Sequence, residues 1–198
     1  MEKKFTVTGQ PWIPYAAITF LYSIIRPGWR VFEWGSGNST YFFAREGMKL
    51  ISIEHDFDWY REVRAVLDSR FGSTNPRIQL HYIPMDVENI GCDKSNPDHY
   101  YEPPYTGNFQ QYAKAIEQYD QFDLIMVDGT SRPSCLVRAA DKVRDGGYII
   151  LDNSDRKYYL AQSPHLFDKW ERYSFFGRGP ENTYMWECTF YRKPGISL

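Results

Sequence analysis

The stretch Val31-Phe32-Glu33-Trp34-Gly35-Ser36-Gly37-Asn38-Ser39-Thr40 decides the fold of this chain. It begins with a short apolar segment, which is typical of a buried strand, and then breaks at two glycines. Because glycine has no Cβ, the backbone can turn tightly there and a ligand can approach it closely. The residues Asn38, Ser39 and Thr40 favour the start of a helix, whose free N–H groups bind polar ligands. The stretch therefore predicts a strand, a glycine turn and a helix that together bind a nucleotide.

The spacing of the glycines indicates which kinds of nucleotide this turn can bind. A dinucleotide-binding turn follows Gly-x-Gly-x-x-Gly, and Thr40 stands where the third glycine belongs. No Gly-Lys-Ser or Gly-Lys-Thr sequence is present, so the chain has no P-loop. Glu33 lies two residues before Gly35. Its carboxylate suits a ligand with a cationic amino group better than a pyrophosphate, which it would repel.

The segment Glu33-x-Gly35-x-Gly37 resembles the first motif of class I S-adenosylmethionine-dependent methyltransferases. The resemblance implies a Rossmann-like α/β fold and S-adenosylmethionine as the cofactor. It also implies that this stretch contacts the cofactor, through Glu33, Gly35, Gly37, Asn38, Ser39 and Thr40.

Two acids follow the next predicted strands. Residues 49–53 form the second strand, and Glu54 comes directly after it, 17 positions beyond Gly37. Nucleotide-binding βαβ units place an acid about 20 residues on, where it accepts hydrogen bonds from ribose hydroxyls. We therefore predict that Glu54 binds ribose. Residues 77–84 form the third strand and lead to Asp86, which by the same resemblance meets the adenine amino group.

The rest of the chain alternates apolar strands with helices, after a leading helix at residues 12–26. Such a pattern predicts a doubly wound, mostly parallel sheet with helices on both faces. Ligands bind beyond the carboxyl ends of the strands in such sheets. Acids follow four of the predicted strands, at Glu54, Asp86, Asp128 and Asp152.

The C-terminal part predicts a helix at residues 157–170 and an antiparallel hairpin at residues 171–191. Five strand–helix units followed by a hairpin match the seven-stranded methyltransferase layout, so the resemblance covers nearly the whole chain. The strand at residues 171–176 should run parallel to the first five. Its end then lies at the ligand edge of the sheet, which predicts that Arg178 contacts the acceptor.

Methyl transfer requires an acceptor lone pair that is free of its proton, so a base or a metal ion must be close. Asp128 and Asp152 are the candidate bases, and Arg132 either orients an anionic acceptor or pairs with Asp128 or Asp155. The Asp128…Asp152-Asn153 pattern also resembles the metal site of catechol- and caffeoyl-coenzyme-A-type O-methyltransferases. That resemblance implies Mg²⁺ or Ca²⁺ bound by these three residues. A charge-paired acidic cluster without a metal is the alternative.

Residues 88–108 have many turn formers and no hydrophobic period. A loop this long in a compact domain is usually functional or disordered. We therefore predict an insertion that either closes over the site, with Tyr105 in the acceptor pocket, or lies on the surface as a mobile segment.

Composition sets the remaining expectations. The 198 residues, 42% of them hydrophobic and 24% charged, fit a single globular domain. The net charge of −2 favours neither nucleic acid nor an anionic membrane as a partner. Three cysteines without metal-type spacing, and no apolar run of membrane-spanning length, favour a cytoplasmic protein. The oligomeric state stays open.

The sequence thus predicts a methyltransferase that methylates an oxygen of a small molecule or a sugar-like acceptor. Three alternatives remain at this point. They are a metal-independent N-methyltransferase, an NAD-type oxidoreductase and a non-catalytic nucleotide-binding module of the same fold.

Overall fold

A computed structural model describes residues 5–87, 93–102 and 105–195 of the chain. Its strands are β1 Arg30–Trp34, β2 Lys49–Glu54, β3 Ile78–Tyr82, β4 Phe122–Val127, β5 Val143–Asp152, β6 Glu171–Gly177 and β7 Trp186–Arg192. Its helices are α1 Tyr15–Ile24, α2 Asn38–Arg45, α3 Phe57–Phe71, α4 Gln110–Lys114 and α5 Arg132–Lys142. Single 3₁₀ turns lie at Ala115–Gln118 and Lys157–Leu160.

The seven strands form one sheet in the order β3-β2-β1-β4-β5-β7-β6. Strands β1 to β5 pair in parallel, and β7 pairs antiparallel with both β5 and β6. Strand β6 therefore runs parallel to β5, as predicted. The predicted fold class is confirmed.

The centre of the sheet is buried on both faces. All six residues of β4 are buried, and their side chains alternate between two cores. Leu124 and Met126 pack on one face with residues of α1 and α2, including Leu21 and Phe42. The opposite face of the strand packs against α4 and α5. Because both faces are covered by helices, the polar groups that bind ligands gather at the carboxyl ends of the strands.

The helix predicted at residues 157–170 is wrong. Only Lys157–Leu160 forms a 3₁₀ turn, and the chain then continues in turns until β6 begins. Pro164 explains the difference, because proline lacks the N–H that a helix interior needs and its ring clashes with the preceding turn. Leu166 and Trp170 nevertheless pack against the core, which accounts for the apolar spacing that suggested a helix.

The boundaries predicted for the leading helix, residues 12–26, also change. The leading helix begins at Tyr15, directly after Pro14, and ends at Ile24. Strand β5 begins at Val143, and a register shift against β4 accommodates the two glycines at 146 and 147 inside the strand. Within the described ranges, none of the helices is long and apolar enough to cross a membrane.

Candidate active site

A cleft of about 1430 Å³ opens at the carboxyl ends of β1, β2 and β4. The glycine loop, residues 35–39, and Glu54 line the part next to β1 and β2. Asp128, Gly129 and Thr130 line the part next to β4. Parallel sheets bind ligands at this edge, so the fold itself places the cleft.

Gly35 allows the loop after β1 to pass directly against the end of β4. Its φ is +90°, and an added Cβ would lie 2.7 Å from the backbone nitrogen of Gly129. Such a contact is too close for any side chain, and the backbone it meets cannot move aside cheaply. The first glycine of the motif is therefore required by packing as well as by conformation.

Glu33 lies beneath the glycine loop and does not line the cleft. One of its carboxyl oxygens accepts hydrogen bonds from the hydroxyls of Thr40 and Ser52, both at 2.6 Å. Thr40 Oγ1 in turn accepts the N–H of Gly37 at 2.7 Å, which ties the carboxyl to the loop. Complete burial raises the pKa of Glu33 to about 7. Glu33 thus shapes the loop from below, and direct contact with the cofactor stays a prediction.

Glu54 faces the cleft at the end of β2 and is only 3% exposed. One oxygen accepts the N–H and the hydroxyl of Ser36, both at 2.9 Å. The other accepts the N–H groups of His55 and Asp56 at 2.8 and 2.9 Å. Three of these four donors are backbone groups, whereas the Ser36 hydroxyl can rotate away. A ribose hydroxyl can therefore replace the Ser36 hydroxyl as a donor to this carboxylate, while the three backbone donors stay in place.

Tyr105 lines the cleft next to His55, the residue that follows Glu54. Its hydroxyl lies 2.8 Å from His55 Nε2, and the two rings meet edge to face. Phe109 packs against both rings. This aromatic group stands on the β2 side of the cleft, whereas the sequence analysis placed Tyr105 in the acceptor pocket; that role stays a prediction.

Helix α5 holds part of the loop at 88–108, at residues 97 and 100. Tyr100 is buried and lies under Arg138, 4.9 Å from the guanidinium to the ring centre. Ser134 Oγ donates a hydrogen bond to the carbonyl of Pro97 at 2.7 Å. Glu102, in the same described segment, lines the cleft. Residues 88–92 and 103–104 of the predicted insertion lie outside the described residues.

Asp86 accepts the N–H of Gln111 at 3.2 Å and so holds the start of α4. Its backbone pairs with that of Asn108. Asp86 is not among the residues that line the cleft. The predicted contact of Asp86 with adenine stays a prediction.

Arg132 joins the ends of β4 and β5. Its Nε donates to the carbonyl of Gly129 at 2.8 Å, and its Nη2 donates to the carbonyl and carboxylate of Asp128 at 2.7 and 3.1 Å. Its Nη1 donates to the carbonyl of Asp152 and to Asn153 Oδ1. The guanidinium is buried and lies over the ring of Tyr159. The structural pairing with Asp128 is thus formed.

The two acids of this cluster face different ways. Asp128 lines the cleft, and burial raises its pKa to about 6 although Arg132 lowers it. Asp152 is almost completely buried and accepts the indole N–H of Trp186 at 2.7 Å. Burial, and then the charge of Asp128, raise the pKa of Asp152. Asp128 can therefore contact a ligand, whereas Asp152 does not line the cleft and lies close enough to Asp128 for their charges to interact.

The three predicted metal ligands are already satisfied by protein groups. Arg132 binds Asp128 and Asn153, and Trp186 binds Asp152. In the described ranges, no group of three or more His, Cys, Asp or Glu side chains is arranged to hold a metal ion. As arranged, the cluster does not fit a divalent cation, because a fixed guanidinium supplies the positive charge that the ion would bring. The metal site stays a prediction, and the charge-paired alternative agrees with the geometry.

Arg178 follows β6 at the predicted edge of the sheet. Its carbonyl accepts the N–H of Tyr15 at 2.9 Å, and its side chain is exposed. The residue does not line the cleft. Its contact with an acceptor stays a prediction.

Several residues of the cleft were missed by the sequence analysis. Thr130 was detectable, because it follows Asp128 and Gly129 at a strand end. Arg156 and Tyr159 were hidden, because their segment was predicted as part of a helix. Glu102 and Trp59 also line the cleft and were not predicted.

No protein-family model and no curated protein sequence matches this chain. Solved structures, however, share its architecture. It is similar to a methyltransferase-like protein from Silicibacter pomeroyi, with a TM-score of 0.58 and 19% identity over 98% of this chain and 92% of that one. This chain has a methyltransferase fold.

Two O-methyltransferase structures agree with that result. The enzyme from Bacillus cereus, solved in complex with S-adenosylhomocysteine, gives a TM-score of 0.58 and 14% identity over 83% of this chain and 73% of that one. The enzyme of tomaymycin synthesis from Streptomyces achromogenes was solved with S-adenosylmethionine. It gives a TM-score of 0.60 and 14% identity over 88% of this chain and 77% of that one. The Rossmann-like architecture expected from the sequence is therefore shared with these structures over most of their length.

Proposed function

We propose that this protein is an S-adenosylmethionine-dependent methyltransferase that acts on an oxygen of a small molecule. One observation carries the proposal. The glycine loop and the Glu54 carboxylate line the same cleft, at the carboxyl edge of a methyltransferase-fold sheet. Similar structures from Bacillus cereus and Streptomyces achromogenes were solved with S-adenosylhomocysteine and S-adenosylmethionine, which supports the choice of cofactor.

The chain offers a group for each part of this cofactor. The Glu54 carboxylate accepts hydrogen bonds from the ribose hydroxyls, and the Ser36 hydroxyl rotates away from it. The first N–H groups of α2, at the glycine loop, face the amino-acid part. The rings of His55 and Tyr105 offer apolar contact for the adenine. When bound, S-adenosylmethionine supplies a methyl group on a positively charged sulfur.

The acceptor belongs at the other end of the cleft, next to β4 and the loop at 93–102. Thr130, Glu102 and Arg156 give that end hydroxyl, carboxylate and guanidinium groups. Thr130 Oγ1 and Glu102 Oε2 are buried and have no hydrogen-bond partner among the described residues. A polar small molecule would satisfy both atoms.

Asp128 is the proposed base. Its pKa of about 6 leaves the carboxylate ionised at neutral pH and able to take the proton of a hydroxyl. The oxygen then bonds to the methyl carbon, and the electron pair of the broken carbon–sulfur bond returns to sulfur. Arg132 and Asp152 are positioning residues that hold Asp128. A neutral amine has a free lone pair without a base, so an ionisable carboxylate here favours oxygen over nitrogen.

Calorimetry with purified protein tests the cofactor. We expect S-adenosylhomocysteine to bind and NAD not to bind, because Thr40 is committed to Glu33 and Gly37 where a dinucleotide turn needs a glycine. Transfer of labelled methyl from S-adenosylmethionine into a small-molecule extract, with mass identification of the product, tests the reaction. Asp128→Asn should keep cofactor binding and lose transfer. NAD binding as tight as that of S-adenosylhomocysteine, or a product methylated on nitrogen, would contradict the proposal.

A further inference from the structure

Trp12 carries a buried N–H group that has no acceptor. Its ring lines the cleft beside the glycine loop, while Nε1 is shielded from solvent and makes no hydrogen bond within the described part of the chain. Buried donors are almost always paired, because leaving one unpaired is costly. An unpaired donor in a ligand cleft therefore indicates a partner that is not part of the protein.

Contacts from two directions fix the position of this tryptophan. Its ring lies 6.0 Å from that of Trp59, whose own Nε1 donates to the carbonyl of Ser36 in the glycine loop at 2.7 Å. The segment that precedes Trp12 is bound to the start of α2, because Asn38 Oδ1 accepts the N–H of Thr8 at 2.8 Å. Trp12 is thereby held next to Trp59, in the cleft that the glycine loop also lines.

The neighbouring backbone adds donors of the same kind. Helix α2 begins at Asn38, and the first N–H groups of a helix have no acceptor within it. The helix dipole also gives this end a partial positive charge. The indole N–H and the helix start therefore form a set of donors that suits an anion. The anionic group of S-adenosylmethionine and S-adenosylhomocysteine at neutral pH is the α-carboxylate.

We propose that Trp12 Nε1 donates a hydrogen bond to the α-carboxylate of the bound cofactor. This inference rests on the proposed function, and it assigns the amino-acid end of the cofactor to the N-terminal segment. The donor recognises the carboxylate alone, so a ligand that lacks this group does not depend on it.

Two ligands and two tryptophan variants test this assignment. S-adenosylhomocysteine carries the α-carboxylate, whereas 5′-methylthioadenosine keeps the adenosine and the thioether and lacks the amino-acid part. Trp12→Phe removes the N–H and keeps an aromatic ring. Trp29→Phe is the control, because Trp29 is similarly half-buried, stacks on Tyr148 and does not line the cleft.

Calorimetry should show that Trp12→Phe weakens S-adenosylhomocysteine binding roughly tenfold, as expected for a lost hydrogen bond to a charged group. Its affinity for 5′-methylthioadenosine should stay within about twofold of wild type. Trp29→Phe should change neither. Equal weakening of both ligands by Trp12→Phe would make Trp12 a packing residue and overturn the assignment, as would unchanged S-adenosylhomocysteine affinity. Wild-type protein that binds no S-adenosylhomocysteine would overturn the proposed function itself.

Discussion

The two halves of the cleft satisfy their buried acids by opposite means. Around the glycine loop, Glu33 and Glu54 accept hydrogen bonds from neutral hydroxyls and backbone N–H groups, and the ring nitrogen Nδ1 of His55 also lies 3.0 Å from Glu54 Oε1. At the ends of β4 and β5, Asp128 and the carbonyl of Asp152 meet the guanidinium of Arg132. Neutral donors leave the first half able to receive a charged ligand. The second half already contains a cation beside its acids, the guanidinium of Arg132.

Among the variants considered, removing Arg132 should lower the stability of the protein most. Arg132→Met leaves the buried Asp152 and the partly buried Asp128 without their cation, and breaking a buried pair costs up to about 3–5 kcal/mol. Urea denaturation measures the loss. Arg144→Met is the matched control, since Arg144 pairs with Asp123 but is half exposed, and it should cost less than about 1 kcal/mol.

Magnesium sharpens the same test. We expect wild-type protein to show no heat of Mg²⁺ binding, because Arg132 binds the carboxylate of Asp128 and Trp186 binds that of Asp152. If Mg²⁺ binds to wild type and Asp152→Ala abolishes the binding, the cluster is a metal site, and the two halves of the cleft do not differ in this way.

Glu33 supplies a pH-dependent test in the first half. Its pKa rises from 4.5 to about 7 on folding, so the folded state holds the proton more tightly than the unfolded chain. Stability is therefore highest when Glu33 is protonated and falls as pH increases from 4.5 to 7, by up to roughly 3 kcal/mol. Glu33→Gln should flatten this part of the melting-temperature profile. Asp128 and Asp152 also have raised pKa values, and the charge of Glu33 contributes to that of Asp128, so the difference between the profiles reports Glu33 together with its effect on Asp128. Parallel profiles would show that Glu33 is ionised in the folded protein.

The contact between the two halves depends on Gly35. Its φ is +90° and an added Cβ would strike the backbone of Gly129, whereas Gly28 has a φ of +85° and open space around it. Gly28→Ala should thus cost about 1 kcal/mol for conformation alone. Gly35→Ala should cost about 1–3 kcal/mol more for overpacking and should lose S-adenosylhomocysteine binding. Equal losses of stability in Gly35→Ala and Gly28→Ala would mean that the loop after β1 does not pack closely against Gly129.

The sequence predicted the framework of the cleft better than its electrostatics. Strand periodicity and turn residues gave the parallel sheet, and the sheet rule then brought Glu54, Asp128 and Asp152 to one edge. Spacing could not tell that Glu33 points beneath its loop, because neighbouring strand residues alternate between faces whose surroundings are set by the whole fold. Nor could it tell that Arg132 would bind backbone carbonyls as well as Asp128.

Long-range contacts explain most of the remaining differences. Trp12 reaches the glycine loop through a segment whose hydrogen bonds join residues about 30 positions apart, as between Thr8 and Asn38. No local pattern reports such a contact. By contrast, the wrong helix at 157–170 was a local error, since Pro164 was visible in the sequence and forbids a continuous helix there.

The smallest expected effect compares two acids that follow strands: Glu54, which lines the cleft, and Asp86, which does not. Its carboxylate holds the N–H of Gln111, so Asp86→Ala should cost about 1 kcal/mol of stability, as the loss of a helix cap does. Its affinity for S-adenosylhomocysteine should remain within about twofold of wild type, whereas Glu54→Gln should lower that affinity about tenfold or more. Calorimetry on both variants, with melting temperatures to confirm folding, separates the two acids. A tenfold loss in Asp86→Ala would instead support the adenine contact that the family resemblance implies, and would require the start of α4 to release the carboxylate when the cofactor binds.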